Sequence, residues 1–262
     1  LVVRKTKQEM KLLITGMHGT LAPRLAAAAR AQGHQILAWD RRRIDPQDAT
    51  AGRAWLDTEQ PDAIAHLAMG GAQWAADLAG WAAEWTRPFL FTSTAMVFDH
   101  LPDGPHRPLD ARTARDDYGR YKIACEDAVL AANAAASVAR IGWQIAGDAR
   151  GNNMLAALDQ WQARDGKVAA SRAWIPACSF MEDTAAALLH LLLQRPVAGF
   201  IHLDSNAREG HSFDRIAAAL RQRFARDQWN IEVNEDYRHD QRLVGGGVPM
   251  PDLSERLPAL RD

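Results

Sequence analysis

Three short clusters carry residue types and spacings that can do chemistry. The first is Thr15-Gly16-Met17-His18-Gly19-Thr20-Leu21-Ala22. Gly16 permits a tight turn, and Gly19 lets the backbone approach a pyrophosphate held at a helix N-terminus. Ala22 is small where a helix must pack on a sheet, and His18, Thr20 and Leu21 fall within the same pocket-forming turn. The second cluster is Tyr118-Gly119-Arg120-Tyr121-Lys122. Residues at i and i+4 share a helix face, so a phenol and an ammonium can serve one site. A neighbouring cation is expected to draw the phenol's pKa from about 10 towards the range of a general acid or base. Tyr121 competes for that role but has no lysine four residues on. The third cluster is Phe91-Thr92-Ser93-Thr94-Ala95-Met96-Val97-Phe98-Asp99, whose hydroxyls can meet a substrate oxygen at a strand end or simply cap a turn.

A fourth feature bears on cofactor choice. Asp40 follows an apolar stretch about twenty residues after the first turn, where a carboxylate can accept hydrogen bonds from an adenosine ribose. Arg41, Arg42 and Arg43 come next, and guanidinium groups can hold a 2′-phosphate. NAD and NADP therefore both stay open, with NAD slightly preferred because the carboxylate repels that phosphate. Asp45 can support the adenine end or cap a helix beginning at Pro46.

Elements able to position these residues are legible in the apolar pattern. Strands are expected at Lys11–Ile14, His34–Trp39, Ala63–Ala68, Phe89–Thr92 and Ser137–Ile141. Helices are expected at Thr20–Gln32, Pro46–Glu59, Ala72–Trp85 and Asp117–Asn133, with Gly33 as a stop and Pro23 in a first turn. Strand and helix alternating five times predicts an α/β chain with a Rossmann-type, doubly wound parallel sheet. Beyond Gly142 the pattern loosens. Helices at Asn153–Arg164, Asp183–Leu193 and Phe213–Arg226, a strand at Phe200–Leu203 and a Gly/Pro loop at Gly245–Pro251 are expected there. The organisation expected is a disordered extension over 1–9, a dinucleotide-binding domain over 10–147, and a small substrate-binding lobe over 148–262 partly interleaved with it. Met10 reads as the working start.

Composition narrows the function classes. A net charge of -1 argues against a nucleic-acid-binding face. Two cysteines cannot build a disulfide framework, and a reducing compartment follows. No apolar core follows Arg4, Lys5 and Lys7, and runs such as Ala185–Leu193 are too short to span a bilayer, so the expectation is a cytoplasmic protein with no membrane partner. The histidines show no metal spacing. Trp74, Trp81 and Trp85 recur at helical intervals and read as core, and Cys125 reads as a small buried hydrophobe.

Taken together, the motifs resemble the extended short-chain dehydrogenase/reductases, and within them most closely the dTDP-4-dehydrorhamnose reductase branch. The resemblance rests on Lys11–Ala22, Pro61-Asp62 leading into His66-Leu67-Ala68, Ser93–Asp99, Tyr118–Glu126, Arg140-Ile141-Gly142-Trp143, Asn152-Asn153 and Asp183-Thr184-Ala185. It implies that Thr94 orients a substrate carbonyl, Tyr118 transfers a proton, and Lys122 binds the nicotinamide ribose while tuning Tyr118. Ala68 and Met69 would flank the cofactor. It further implies hydride transfer to or from C4 of a nucleotide sugar, by a reductase or epimerase, with homodimerisation open. Dehydratases of this superfamily carry an acid pair after the active-site threonine, whereas this chain has Ala95 and Met96, which argues against dehydration. A non-catalytic dinucleotide-binding regulatory subunit of the same fold is the alternative. Only about twenty residues separate Ala68 from Thr92, so the helix between them is short for the family.

Overall fold

The computed structural model describes residues 9–148, 151–194 and 197–261. The extension expected over 1–9 lies, except for Glu9, outside the described residues. The chain opens with β1 (Lys11–Ile14), α1 (Leu21–Ala31), β2 (Gln35–Ala38), α2 (Ala49–Glu59), β3 (Ala63–His66), α3 (Ala72–Glu84) and β4 (Phe89–Thr94). A 3-10 turn over Ala95–Phe98 leads on to α4 (Asp117–Ala132) and β5 (Ser137–Ile141). Then follow β6 (Trp143–Ile145), α5 (Met154–Asp165), β7 (Val168–Ser171), β8 (Trp174–Ile175), β9 (Cys178–Phe180), α6 (Met181–Leu193) and β10 (Gly199–Leu203). The chain closes with α7 (Phe213–Arg223), β11 (Ile231–Asn234), β12 (His239–Asp240) and α8 (Leu253–Arg256).

Six strands form one parallel sheet in the order β10-β5-β4-β3-β1-β2. The chain runs outward from β1 to β2, then returns across β1 to β3, so the direction of winding reverses at β1/β3. Ligands of open parallel sheets sit beyond the strand carboxyl ends at such a point. β2 is an edge strand, and its partly exposed side chains reflect that position.

Both faces of the sheet are covered, which is why its strands read as continuous apolar runs rather than alternating ones. Leu12 and Ile14 face α1 and α6, packing among Leu25, Ala26, Ala29, Leu188 and Leu192. Leu13 and Ile64 face the other way, into Trp74, Leu78, Trp81, Phe91 and Cys125. A third core, built on Leu155, Leu158, Phe213, Ile216 and Trp229, holds the later elements. Three two-stranded parallel pairs, β6-β9, β7-β11 and β8-β12, tie those elements together.

Local differences from the sequence expectations have plain causes. The second helix starts at Ala49 rather than Pro46, because Asp48 caps it through Ala51 N at 2.9 Å. Asp45 accepts from Gln47 N at 2.9 Å and closes the preceding turn instead. Trp74 and Trp81 are core residues as expected, but Trp85 lies past the end of α3 and is 46% exposed.

Candidate active site

The first glycine turn is fixed from beneath by Thr15. Its hydroxyl accepts from Leu67 N at 3.0 Å and Ala68 N at 3.1 Å, and lies 2.9 Å from His66 Nδ1. With both lone pairs taken by amides, its one proton goes to Nδ1, so His66 is neutral and carries its hydrogen on Nε2. Burial agrees: it is the first cause, ahead of the Lys122 and Arg41 charges, that pushes the His66 pKa down to about 3. Gly16 has φ +82, and a Cβ there would stand 3.0 Å from Ala68 N and from Leu67 C. The turn therefore presses directly on the end of β3, and only glycine fits. Gly19 N donates to Gly16 O at 2.8 Å, and Thr20 makes no side-chain cap for α1. The first-turn amides of α1 are left facing the turn, where an anionic pyrophosphate is favoured. His18 and Gly19 are exposed on the same turn, and Leu21 packs against the α1/α6 core.

Asp40, just past β2, accepts from Arg42 N at 3.0 Å and Arg42 Nε at 3.3 Å, and these bonds hold its carboxyl below the usual range. Arg41 turns the other way. Its guanidinium donates to Met69 O and lies over the Trp74 ring at 5.0 Å.

The catalytic candidates come together where β4 ends. Thr94 Oγ1 accepts from Met96 N at 3.2 Å, so the hydroxyl does cap the 3-10 turn. That bond leaves its own proton free to point out of the turn, beside the Tyr118 phenol, whose pKa the Thr94 hydroxyl draws down. Tyr118 stands in the first turn of α4, which Asp116 caps through Gly119 N at 2.8 Å. At Gly119 a Cβ would lie 2.3 Å from Ala114 Cβ and 2.8 Å from Met96 O. The missing side chain lets the helix start seat on the 3-10 turn, and this contact brings Tyr118 to Thr94.

The expected electrostatics of this pair need correcting. Burial raises the Tyr118 pKa, opposed by Thr94 and reinforced by Asp116. Lys122 does not lower it, because its ammonium is drawn inward: Nζ donates to Thr92 O at 2.9 Å and sits over the rings of Phe91 (4.8 Å) and Tyr121 (5.6 Å). Lys122 is 4% exposed and has no carboxylate in salt-bridge contact among the described residues, and burial lowers its pKa to about 8. Tyr121, the rival phenol, is engaged elsewhere. It accepts from Gly70 N at 3.0 Å, and burial pushes its pKa up to about 12.

One turn beyond Lys122, Glu126 meets Arg140 of β5 in a bidentate pair, Nε–Oε1 and NH2–Oε2 each 2.8 Å, with both side chains fully buried. Arg140 also donates to Pro108 O at 2.8 Å and lies over Phe200 at 4.0 Å. This pair bolts α4 to the sheet. Thr15, Gly119, Tyr121 and Glu126 are positioned around the site but carry no isolated sequence signal.

A parallel sheet with a glycine turn at its winding reversal and a Thr/Tyr/Lys set at the neighbouring strand end defines an extended short-chain dehydrogenase/reductase fold. The chain belongs to the RmlD substrate binding domain family, whose model matches residues 10–73 and 70–234. A dTDP-4-dehydrorhamnose reductase of Mycolicibacterium smegmatis is 28% identical over 229 residues, 80% of this chain and 68% of that protein. One from Mycobacterium tuberculosis is 30% identical over 202 residues, 69% of this chain and 65% of that protein, just under two thirds of its length. The crystal structure of a Bacillus anthracis dTDP-4-dehydrorhamnose reductase in complex with NADP superposes with a TM-score of 0.79, at 16% identity, over 97% of this chain and 99% of that one.

Proposed function

We propose that the protein is a nicotinamide-dependent oxidoreductase acting on C4 of a nucleotide sugar, as reductase or epimerase. The observation that carries it is the meeting of Thr94 and Tyr118 at the end of β4, with Lys122 buried one helical turn deeper. A regulatory subunit that only binds a dinucleotide has no use for a half-exposed phenol set beside a threonine hydroxyl.

The cradle fits a dinucleotide. Gly16–Leu21 would take the pyrophosphate at the start of α1, Asp40 and Arg41 the adenosine ribose, and Ala68 and Met69 the opposite side. A bound nicotinamide supplies or accepts the hydride. Asp40, ionised by its Arg42 contacts, favours NAD over NADP. Tyr118 moves the proton at the substrate oxygen. The Thr94 hydroxyl, its lone pair committed to Met96 N, turns its own proton towards the same oxygen. Lys122 holds a positive charge under the ribose position. The elements from α5 onwards that share the third core, leaving aside α6 and β10 of the main sheet layer, would form the substrate lobe. Cys125 and Cys178, both free and buried, suit a cytoplasmic setting.

The test is Tyr118→Phe, assayed by cofactor oxidation against a panel of nucleotide keto-sugars. Deleting only the hydroxyl should leave cofactor binding intact and reduce turnover by about a hundred- to ten-thousand-fold. Wild-type turnover in the variant would refute the mechanism.

A further inference from the structure

The segment between β3 and α3 is held by three other parts of the cofactor site at once. Thr15, from the glycine turn, takes the amides of Leu67 and Ala68. Arg41, from the end of β2, takes the Met69 carbonyl. Tyr121, from the catalytic helix, takes the Gly70 amide at 3.0 Å. Gly70 has no room to drift, since a Cβ would fall 2.5 Å from the Trp74 ring. Every residue from Leu67 to Gly70 thus has a backbone polar group anchored to a side chain from another element.

We propose that Tyr121 is a positioning residue for the cofactor, stapling the Ala68–Gly70 loop to the helix that carries Tyr118 and Lys122. The inference rests on the cofactor reading above, because the loop matters only if it flanks a dinucleotide. The Gly70 N–H donates to the phenol oxygen at 3.0 Å, so Tyr121 has its hydroxyl engaged with the loop rather than with the Thr94–Tyr118 pair. Its ring also lies beside the Lys122 ammonium. One side chain therefore fixes both the wall of the cofactor pocket and the aromatic surface against which the ribose-binding cation rests.

The test uses the full-length protein, wild type and Tyr121→Phe. Phenylalanine keeps the ring and removes only the staple. A neutral hydrogen bond is worth about 2- to 12-fold in an equilibrium, so NAD(H) affinity, measured by titration, should weaken by that factor. The loss should fall on the KM for the dinucleotide more than on kcat, whereas a merely structural role would lower the melting temperature without that split. Amide exchange in the cofactor-free wild type gives a second measurement. The Gly70 N–H should be protected there and lose protection in Tyr121→Phe. Wild-type NAD(H) affinity in the variant, or a Gly70 amide that already exchanges freely in the wild type, overturns the staple. A wild-type protein that binds neither NAD(H) nor NADP(H) overturns the cofactor reading instead, and the staple's purpose with it.

Discussion

Replacing Lys122 with methionine should stabilise the cofactor-free protein while destroying its activity. Lys122 is 4% exposed and meets no carboxylate among the described residues, so its charge is held at a cost. A fall in pKa from 10.5 to about 8 corresponds to about 3 kcal/mol of preference for the neutral form. Methionine fills similar volume without charge, which recovers that amount. Against it stand the Thr92 carbonyl left without a donor and the ring contacts with Phe91 and Tyr121, together about 1–2 kcal/mol. The net expectation is about 1–2 kcal/mol in favour of Lys122→Met at pH 7, a rise in melting temperature of roughly 2–6 °C. The pH dependence supplies the sharper check. Because the folded pKa is depressed, the penalty is fully present below about pH 8 and fades as pH rises to the unfolded value near 10.5. Across that window the unfolded chain still holds a proton that the native lysine has released, so wild-type stability rises with pH relative to the variant. Above it, the neutral amine still serves Thr92, and the wild type should be the more stable of the two. Urea titrations of both proteins at pH 7 and at pH 10.5 decide the matter. A variant less stable than wild type at pH 7, or a difference that ignores pH, would refute the account of Lys122 as an uncompensated buried charge.

Two further outcomes test the frame around the site. Gly19→Val should abolish dinucleotide binding, seen by fluorescence titration, with little change in melting temperature; its Cβ needs the Gly16 carbonyl, 3.2 Å away, to give only slightly, but its methyls fill the pyrophosphate position. Glu126→Gln should cost about 3–5 kcal/mol in urea unfolding, since it leaves the fully buried Arg140 charge without its counter-ion. A loss below about 1 kcal/mol would mean that the Pro108 carbonyl, which Arg140 reaches at 2.8 Å, and the Phe200 ring are enough to hold the guanidinium without its counter-ion.

Much of the sheet was legible because its strands are buried on both faces. Lys11–Ile14 and Ser137–Ile141 are short apolar runs bounded by Gly, Asp or Ser, and they recur at βαβ spacing. The 2- to 4-residue strands of the later elements were not legible. Trp174–Ile175 and His239–Asp240 pair across more than sixty residues and show no period of their own. At the site, Thr94, Tyr118 and Lys122 were legible as candidates by type and spacing and their roles only through the resemblance, while the direction of the phenol's pKa was not legible. Spacing says that Tyr118 and Lys122 share a face; it does not say that the Thr92 carbonyl captures the ammonium. The structural parts played by Thr15, Tyr121 and Glu126 were hidden for a similar reason. Each is an ordinary residue whose partner lies elsewhere in the fold, His66 at 51 positions from Thr15 and Gly70 at 51 from Tyr121.

The cost of Lys122 also explains the company it keeps. A second unpaired buried cation beside it would add to that cost, and His66, on which the Lys122 charge acts, does not become one. The Thr15 proton on Nδ1 and complete burial keep that imidazole neutral well below physiological pH. Without cofactor, Lys122 is thus a buried cation with no carboxylate partner among the described residues, whereas Arg140 is paired with Glu126, and a dinucleotide would bring the negative charge that Lys122 lacks. Binding at a hundredfold excess over Kd stabilises a protein by about 2.7 kcal/mol, comparable to the penalty that Lys122 imposes. The dinucleotide should therefore raise the melting temperature of the wild type more than that of Lys122→Met, because only the wild type has a buried charge for it to satisfy.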